Sequence, residues 1–185
     1  MKGGMDVSTA EQCFRKYLNG DESGLDYILE CYHDTLILFI NRYVQDLDTA
    51  EELAADSFAQ LFLTPKKYNF SVSLKTYLFT IGKSRALDWL RVNRRKKTAE
   101  LPEYIADSTG PEQILIHDEE KQQLYAAINR LRGDYKTVIH LVYFEDLSYK
   151  EAAYVMKKSE KQIQNLVYRA KEALREDYRK EGLLK

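Results

Sequence analysis

The apolar positions of this chain recur with helical spacing along most of its length. The clearest run starts at Leu25, from which apolar side chains fall at i, i+3, i+4 and i+7 and predict one long amphipathic helix. Its apolar positions continue through Ile28, Leu29, Tyr32, Leu36, Phe39, Ile40 and Tyr43. Ser8 and Glu11 have the spacing of a capping box, which predicts a short helix over residues 9–18 that the following Asn-Gly pair ends.

Two more helices are predicted before residue 98. Asp48 and Glu51 repeat the capping signature, and the short, acidic-faced helix that they open stops before Pro65. Residues 64–73 are typical of a loop, since they contain a proline, an asparagine and two serines. Ser73 is the predicted N-cap of the helix that follows, which runs into a basic cluster. The stripes that these two helices bury are Leu53, Ser57, Phe58, Leu61 and Phe62, then Leu78, Ile81, Trp89 and Leu90.

Residues 98–110 combine proline, serine, glycine and acidic residues with little periodicity, which indicates a flexible linker. After it, Pro111 suits the first turn of a helix that reaches Leu131, and Gly133 with its neighbouring aspartate starts another. The pattern therefore predicts an all-α protein with two small helical domains. Their predicted limits are residues 9–97 and 111–180.

Two capping boxes lie close together near the end of the chain. Ser148 with Glu151 opens a short helix to Met156, and Ser159 with Gln162 opens a longer one after only two intervening residues. This spacing is typical of a helix-turn-helix, with an ordinary helical hairpin as the alternative. The longer helix has an apolar face of Ile163, Leu166, Val167, Ala170 and Leu174. Its polar face, whose amide and basic groups can read bases in a major groove, consists of Lys161, Gln164, Asn165, Tyr168 and Lys171.

Composition supports helices and excludes several classes of protein. Glycine and proline are scarce, at eight and three residues of 185, and 44% hydrophobic residues suffice for packed cores. No stretch approaches the roughly 20 apolar residues of a membrane span, and residues 1–10 lack the features of a signal peptide. We therefore expect a cytoplasmic location and no membrane insertion.

The residues with reactive or metal-binding side chains are scattered. Cys13 and Cys31 form no Cys-x-x-Cys or Cys/His pattern, and His33, His117 and His140 stand singly, so no disulfide or metal site is expected. A glycine-rich phosphate loop and a nucleophile signature are also missing. We expect no catalytic residues, no cofactor and no small-molecule substrate.

Charge is unevenly distributed, although the formal net charge is only −1. A phosphate backbone senses this local distribution rather than the total. The sign of the charge changes at Thr98. The basic residues before it are Lys83, Arg85, Arg91, Arg94, Arg95, Lys96 and Lys97. The acidic residues after it are Glu100, Glu103, Asp107, Glu112, Asp118, Glu119 and Glu120.

Four segments, in order, resemble extracytoplasmic-function (ECF) sigma factors of RNA polymerase. Residues 48–62 look like the polymerase-binding helix of that family, and residues 74–90 with their basic tail resemble its promoter-melting and minus-ten-reading helix. Residues 144–153 and 159–174 are similar to its minus-thirty-five-reading domain. The resemblance covers most of the chain and implies sigma region 2 in the first domain and a sigma region 4 helix-turn-helix in the second.

The resemblance implies that one face of the residue 48–62 helix docks on core RNA polymerase. Asp48, Glu52 and Asp56 lie four residues apart on that face, and Glu51 and Gln60 flank it. A merely solvated acidic stripe is the alternative, because surface acids are common.

The resemblance also assigns the minus-ten contacts. A loop with Tyr68, Asn69 and Phe70 would receive an extruded base, although both rings can instead pack against their own helices. We expect Trp89 to be structural. The remaining residues implied here are the stripe Ser84, Asp88 and Arg91, and the phosphate-binding Arg94 and Arg95 with the two lysines that follow.

The minus-thirty-five contacts would come from the second helix of the helix-turn-helix. The residues implied are Lys161, Gln162, Gln164, Asn165, Tyr168, Arg169 and Lys171. Some positions depart from the family pattern, which limits what can be carried over. Lys157 replaces a turn glycine, and Lys158 replaces an apolar turn residue. Leu166 replaces an arginine, Ser84 an asparagine and Ala55 a glutamine.

The function implied is that of a transcription initiation factor. Its partners would be core RNA polymerase, promoter DNA, which it helps to open, and an anti-sigma factor that holds it in check. Two alternatives stay open. A stand-alone helix-turn-helix regulator, whose amino-terminal half senses a ligand or partner, would bind an operator without polymerase. A helical protein-binding adaptor would not contact DNA.

Overall fold

The computed structural model describes residues 7–99 and 119–181, and all regular structure within these ranges is helical. The predicted all-α class is confirmed. The chain divides into two compact units, Met1–Pro102 and Glu103–Lys185. This division falls within the predicted linker 98–110, most of which lies outside the described residues, so the limits of the linker stay a prediction. No helix in the described ranges combines the length and the apolar character that a membrane crossing requires.

Residues 7–99 form the helices of the first unit. They are α1 (Val7–Leu18), α2 (Leu25–Val44), α3 (Leu47–Leu63) and α4 (Leu74–Ala99), with 3-10 turns at Glu22–Gly24 and Pro65–Lys67. α2 lies at the centre and packs against α1, α3 and α4. Its predicted start at Leu25 is confirmed. The largest side chains that this core buries completely include Phe14, Ile28, Leu36, Phe39, Ile40, Leu61, Leu78 and Phe79.

α4 approaches α2 closely at Gly82. A Cβ atom at this position would lie 2.8 Å from Leu36 Cδ1 and 3.2 Å from Ile40 Cδ1. Leu36 and Ile40 have no exposed surface, so a larger residue at position 82 would have to displace packed core atoms. The absence of a side chain here therefore lets the two helices pack directly against each other.

The start of α3 differs from the prediction. Asp46, with an extended backbone, caps this helix by accepting a hydrogen bond from Thr49 N–H at 3.3 Å. The prediction that Asp48 provides the cap was wrong. Asp48 instead lies in the first helical turn, where the helix dipole stabilises a carboxylate. The helix is also longer than expected, at 17 residues.

The first and fourth helices give opposite outcomes for their predicted caps. α1 already includes Val7 and Ser8, so the prediction that Ser8 precedes the helix as its cap was wrong. For α4 the predicted cap is confirmed, because Ser73 Oγ accepts a hydrogen bond from Thr76 N–H at 3.2 Å.

Residues 119–181 form the helices of the second unit. They are α5 (Glu119–Arg130), α6 (Gly133–Ile139), which continues into a π turn at His140–Phe144, α7 (Tyr149–Met156) and α8 (Glu160–Lys180). α8 packs against α5, α6 and α7. The predicted start at Gly133 is confirmed, whereas the predicted start at Pro111 lies outside the described residues. The buried side chains include Ile128, Tyr135, Val138, Leu141, Val155, Met156, Ile163 and Val167.

Both predicted capping boxes of this unit are confirmed. Ser148 N–H donates to the Glu151 carboxylate at 3.0 Å, and Glu151 N–H donates to Ser148 Oγ at 3.3 Å. Ser159 N–H donates to Gln162 Oε1 at 2.8 Å, and Gln162 N–H donates to Ser159 Oγ at 3.2 Å. These bonds start α7 and α8 at defined residues, and the two helices pack against each other as a helix-turn-helix.

The turn between α7 and α8 contains a backbone conformation that favours glycine. Lys157 ends α7 with a φ of 53°, in the left-handed region. Its N–H donates to Tyr154 O at 3.3 Å, and the next residue, Lys158, donates its N–H to Ala153 O at 3.0 Å. The turn is therefore formed without the glycine that its geometry would prefer.

We predict that Lys157→Gly stabilises the protein by about 0.5–1 kcal/mol, because relief of the left-handed strain exceeds the entropy that glycine loses on folding. Urea unfolding measures the change. Lys150→Gly, at an exposed helical position of α7, is the matched control and should destabilise by about 0.5–1 kcal/mol. Equal destabilisation by both substitutions would contradict the strain argument.

Candidate polymerase and nucleic-acid interfaces

The acidic side chains of α3 lie on its outer face. Its inner face is buried against α2 and α4 through Ala50, Ala54, Ser57, Phe58 and Leu61. Helical periodicity then directs the intervening acids outward. The exposed acids are the predicted Asp48, Glu51, Glu52 and Asp56.

An apolar residue extends this acidic face. Leu63, at the end of α3, is 81% exposed. It lies seven residues after Asp56 and eleven after Glu52, so helical spacing places all three on one side of α3. Leu63 was not among the residues predicted from the sequence, although the same spacing, continued past Ala59, would have reached it.

Arg85 of α4 connects two of the predicted polymerase-binding residues. Its Nη2 donates to Gln60 Oε1 at 3.0 Å, and its Nη1 lies 3.7 Å from Asp56 Oδ2. These contacts are partly exposed and contribute little to stability. They do orient both side chains of α3, whereas the sequence placed Arg85 only within the basic cluster.

Tyr68, which the sequence assigned to base capture, is buried at 3% exposure. Its hydroxyl donates to Val72 O at 2.7 Å, and its ring packs against Phe14 and Tyr77 at centroid distances of 5.5 and 5.1 Å. Burial, followed by the nearby Glu11 carboxylate, raises the pKa of this hydroxyl above its ordinary value. The geometry favours the packing alternative for Tyr68.

The other two residues of the predicted loop reach the surface. Asn69 is exposed, and its side-chain oxygen accepts a hydrogen bond from Ser71 N–H at 3.1 Å. Phe70 is half-buried and has a φ of 59°, in the left-handed region. The guanidinium carbon of Arg15 lies 3.9 Å from the centre of its ring.

The predicted stripe along α4 is exposed. Ser84, Asp88 and Arg91 follow one another at helical spacing, and Arg91 Nη1 donates to Asp88 Oδ1 at 2.9 Å. Arg94 is exposed one turn further on. The predicted Arg95, with Lys96 and Lys97, belongs to α4, but these side chains lie outside the described ones.

The predicted reading face of α8 is also exposed. Ile163, Val167 and Ala170 bury the opposite face. Tyr168 is 66% exposed, and Lys171 Nζ lies 4.9 Å from the ring centre of Tyr143. The predicted residues on the exposed face are Lys161, Gln162, Gln164, Asn165, Tyr168, Arg169 and Lys171. Gln162 differs from the others because its amide oxygen takes part in the capping box.

A buried polar pair supports the second unit. His140 Nε2 lies 3.2 Å from Glu145 Oε1, and only 3% and 4% of these two side chains are exposed. The His140 ring also stacks on Phe144, with centroids 5.5 Å apart. The sequence treated His140 as an isolated residue, because its spacing from Glu145 has no distinctive pattern. Among the described residues, no cluster of histidine, cysteine or acidic side chains could hold a metal ion.

Two family models match the chain, one in each unit. The model described as Sigma-70 region 2 matches residues 28–96, and the model described as Sigma-70, region 4 matches residues 121–174. The order is that of the two helical units described above. Together these matches define a sigma factor of RNA polymerase.

Curated relatives place the chain within this class. The RNA polymerase sigma-H factor of Pseudomonas aeruginosa is 25% identical over 175 residues, which cover 89% of this chain and 91% of that protein. The ECF RNA polymerase sigma factor SigM of Bacillus subtilis is 26% identical over 157 residues, covering 83% and 94%. The chain belongs to the ECF-type RNA polymerase sigma factors.

Solved structures agree with the fold. The sigma factor RpoE in complex with the anti-sigma factor NepR, from Bartonella quintana, aligns with a TM-score of 0.66 and 22% identity, covering 82% of this chain and 94% of that one. CnrH in complex with the cytosolic domain of CnrY aligns with a TM-score of 0.62 and 17% identity, covering 91% and 94%. The predicted arrangement of region 2 and region 4 as helical units is confirmed.

We predict that Tyr68→Phe destabilises the protein by about 1 kcal/mol, because it removes the hydroxyl donor to Val72 O. The raised pKa of Tyr68 has a second consequence. The wild-type protein should lose stability as the pH rises above about 10, where the unfolded tyrosine ionises first, and the variant should lose less. Urea unfolding between pH 7 and pH 11 measures both effects, and identical pH profiles would contradict the assignment.

Proposed function

We propose that this protein directs core RNA polymerase to promoters through α3, helps to open them through α4 and the loop before it, and reads the minus-thirty-five element through α8. The observation that carries the proposal is the distribution of exposed groups. The region 2 unit exposes carboxylates on α3 and the region 4 unit exposes amides and cations on α8, as docking to polymerase and reading DNA require. In this role the protein needs no catalytic residues, because the polymerase performs the chemistry.

Docking on polymerase would use the outer face of α3. Asp48, Glu51, Glu52 and Asp56 supply negative charge, and Leu63 supplies an apolar anchor next to them. Protein interfaces commonly combine an apolar centre with a polar rim. Gln60 would contribute at the edge, where Arg85 already orients it. A basic, partly apolar partner surface would complement this face.

Promoter opening would use the α4 side of the same unit. Asn69 is exposed and Phe70 is partly exposed at the surface of the loop, whereas Tyr68 supports the loop from within. The stripe of Ser84, Asp88 and Arg91 would lie along the strand, and Arg94 and Arg95 would bind phosphates. Aromatic faces with cationic neighbours are the usual means of holding single-stranded nucleic acid.

Reading of the minus-thirty-five element would use the exposed face of α8. Gln164 and Asn165 can each form paired hydrogen bonds with adenine, while Lys161, Arg169 and Lys171 suit guanine or phosphate. Tyr168 adds an exposed aromatic ring. Gln162 has its oxygen engaged in the cap, so its amide N–H groups are the part of its side chain available to DNA.

Regulation by an anti-sigma factor is part of the proposal. It is supported by the likeness in fold to RpoE and CnrH, whose structures were solved with NepR and with the cytosolic domain of CnrY. An antagonist that covers the acidic face of α3 would prevent polymerase from docking there. A flexible linker would let one antagonist engage both units.

The two alternatives leave parts of the protein unexplained. A stand-alone regulator, whose amino-terminal half would sense a ligand or partner, does not account for the match of that half to Sigma-70 region 2. A protein-binding adaptor gives no role to the amides and cations on α8. Both are tested by the same binding experiments.

We predict that Glu52→Lys weakens binding to core RNA polymerase at least tenfold, because it reverses the charge at the middle of the docking face. Fluorescence anisotropy with labelled protein measures the affinity. Glu52 is preferable to Asp56 for this test, since a lysine at position 56 would also repel Arg85.

The matched control for this experiment is Glu30→Lys, which makes the same change at an exposed position of α2. It should leave the affinity within about twofold, because Glu30 is on a different helix from the proposed docking face and an exposed charge outside an interface is largely screened. Equal losses in both variants would indicate a general effect of net charge. Absence of binding by the wild-type protein, free of any antagonist, would favour the stand-alone regulator or the adaptor.

We predict that Gln164→Ala or Asn165→Ala relaxes base preference at one minus-thirty-five position by about 1–3 kcal/mol, since each removes paired hydrogen bonds to a base edge. Competition binding of the holoenzyme to promoters altered at single positions measures the preference. Gln123→Ala on α5 is the control and should leave the base preference unchanged at every minus-thirty-five position. An unchanged preference in both α8 variants would remove direct base reading by these residues.

A further inference from the structure

Helix α1 packs against the loop that we propose for base capture. Its Phe14 ring lies 5.5 Å from the Tyr68 ring and 6.3 Å from the Phe70 ring, measured between centroids. Glu11 Oε1 lies 3.5 Å from Tyr68 Oη. α1 precedes residue 28, where the region 2 match begins, so that match gives these contacts no role. Residues from α1 therefore take part in shaping the loop.

The Phe70 ring contacts two groups. The guanidinium carbon of Arg15 lies 3.9 Å from its centroid, and the Tyr68 ring lies 4.5 Å away at an angle of 47°. The left-handed backbone of Phe70 is unfavourable for a bulky residue and persists only when its surroundings hold it. Tyr68 is buried and Arg15 is exposed, so Arg15 covers the ring from the solvent side.

We infer that Arg15 is a positioning residue that occupies, in the free protein, the stacking place of the extruded minus-ten base on Phe70. A guanidinium is planar and stacks on aromatic faces, as a nucleobase does. The inference rests on the proposed function, because it assumes that Phe70 receives a base. The base must then displace Arg15 in order to stack on Phe70.

The exchange is favourable by its chemistry. A base stacked on an aromatic ring is held more strongly than an exposed cation over the same ring. The displaced guanidinium keeps its charge and stays close to the strand, where it can pair with a phosphate. Arg15 thus keeps Phe70 in its strained conformation until a base arrives. The free energy needed to displace Arg15 lowers the affinity of the base for Phe70.

The test compares Arg15→Lys with the wild-type protein, both assembled with core polymerase. Lysine keeps the positive charge but loses the planar group. The probe is a fork-shaped promoter DNA, selected in vitro with the wild-type holoenzyme, with 2-aminopurine in the unpaired minus-ten strand. Arg15→Lys should bind this DNA about two- to threefold more tightly, with stronger quenching of 2-aminopurine and an unchanged salt dependence.

Three controls separate this effect from other causes. Lys16→Ala removes an exposed charge from the same end of α1 and should give no gain in affinity. An abasic site at the captured position, or Phe70→Leu in the Arg15→Lys background, should abolish the gain. A gain in affinity that survives both the abasic site and Phe70→Leu would show that it does not arise from stacking on Phe70, and would overturn the inference.

The remaining outcomes distinguish the inference from the proposed function. If Phe70→Leu and the abasic site both weaken wild-type binding but Arg15→Lys gives no gain, base capture stands and the role of Arg15 is overturned. If neither change affects wild-type binding, Phe70 captures no base, and the proposed role of the loop fails together with the inference. Thermal unfolding of each variant confirms that it is folded.

Discussion

The close packing of α4 on α2 is the constraint on which the first unit depends. Gly82 has no side chain, so Leu36 and Ile40 of α2 reach the backbone of α4 and exclude water between the helices. α3 packs on the same pair of helices. This one core determines which sides of α3 and α4 face outward, and so it places the acidic face and the proposed minus-ten stripe on separate helices.

The second unit also presents one helix face outward, and it does so through a capping box and an ion pair. α8 is central there, with Ile163 and Ala170 completely buried and its start defined by a closed capping box. Arg130 of α5 contacts α8 through Asp177 at 2.6 Å, and the resulting hydrogen bond raises the pKa of the arginine. Because the helix is held along one face and at both ends, its exposed face is presented in a fixed orientation. A reading surface needs that rigidity for its amides to meet base edges.

Two residues with a left-handed backbone, one in each unit, lie next to the proposed contacts with DNA. Lys157 adopts a left-handed conformation in the turn before α8, and Phe70 adopts one in the loop before α4. Surrounding contacts hold each of them: hydrogen bonds to the end of α7 in the first case, and aromatic and cationic packing in the second. Positions of this kind are stable only because the neighbouring helices over-determine them.

The sequence by itself determined the helical class, the two capping boxes around α7 and α8, and the exposed faces of α3 and α8. These features depend on periodicity and on hydrogen bonds between residues three apart, which are local and can be read along the chain. It did not determine that Asp46 rather than Asp48 caps α3, because the two aspartates stand two residues apart and the backbone conformation selects one. The burial of Tyr68, the link from Arg85 to Gln60 and the stacking of Arg15 on Phe70 were decided only by the tertiary structure. Each joins residues from separate helices or from a helix and a loop, and no local pattern records which side chains their packing brings together.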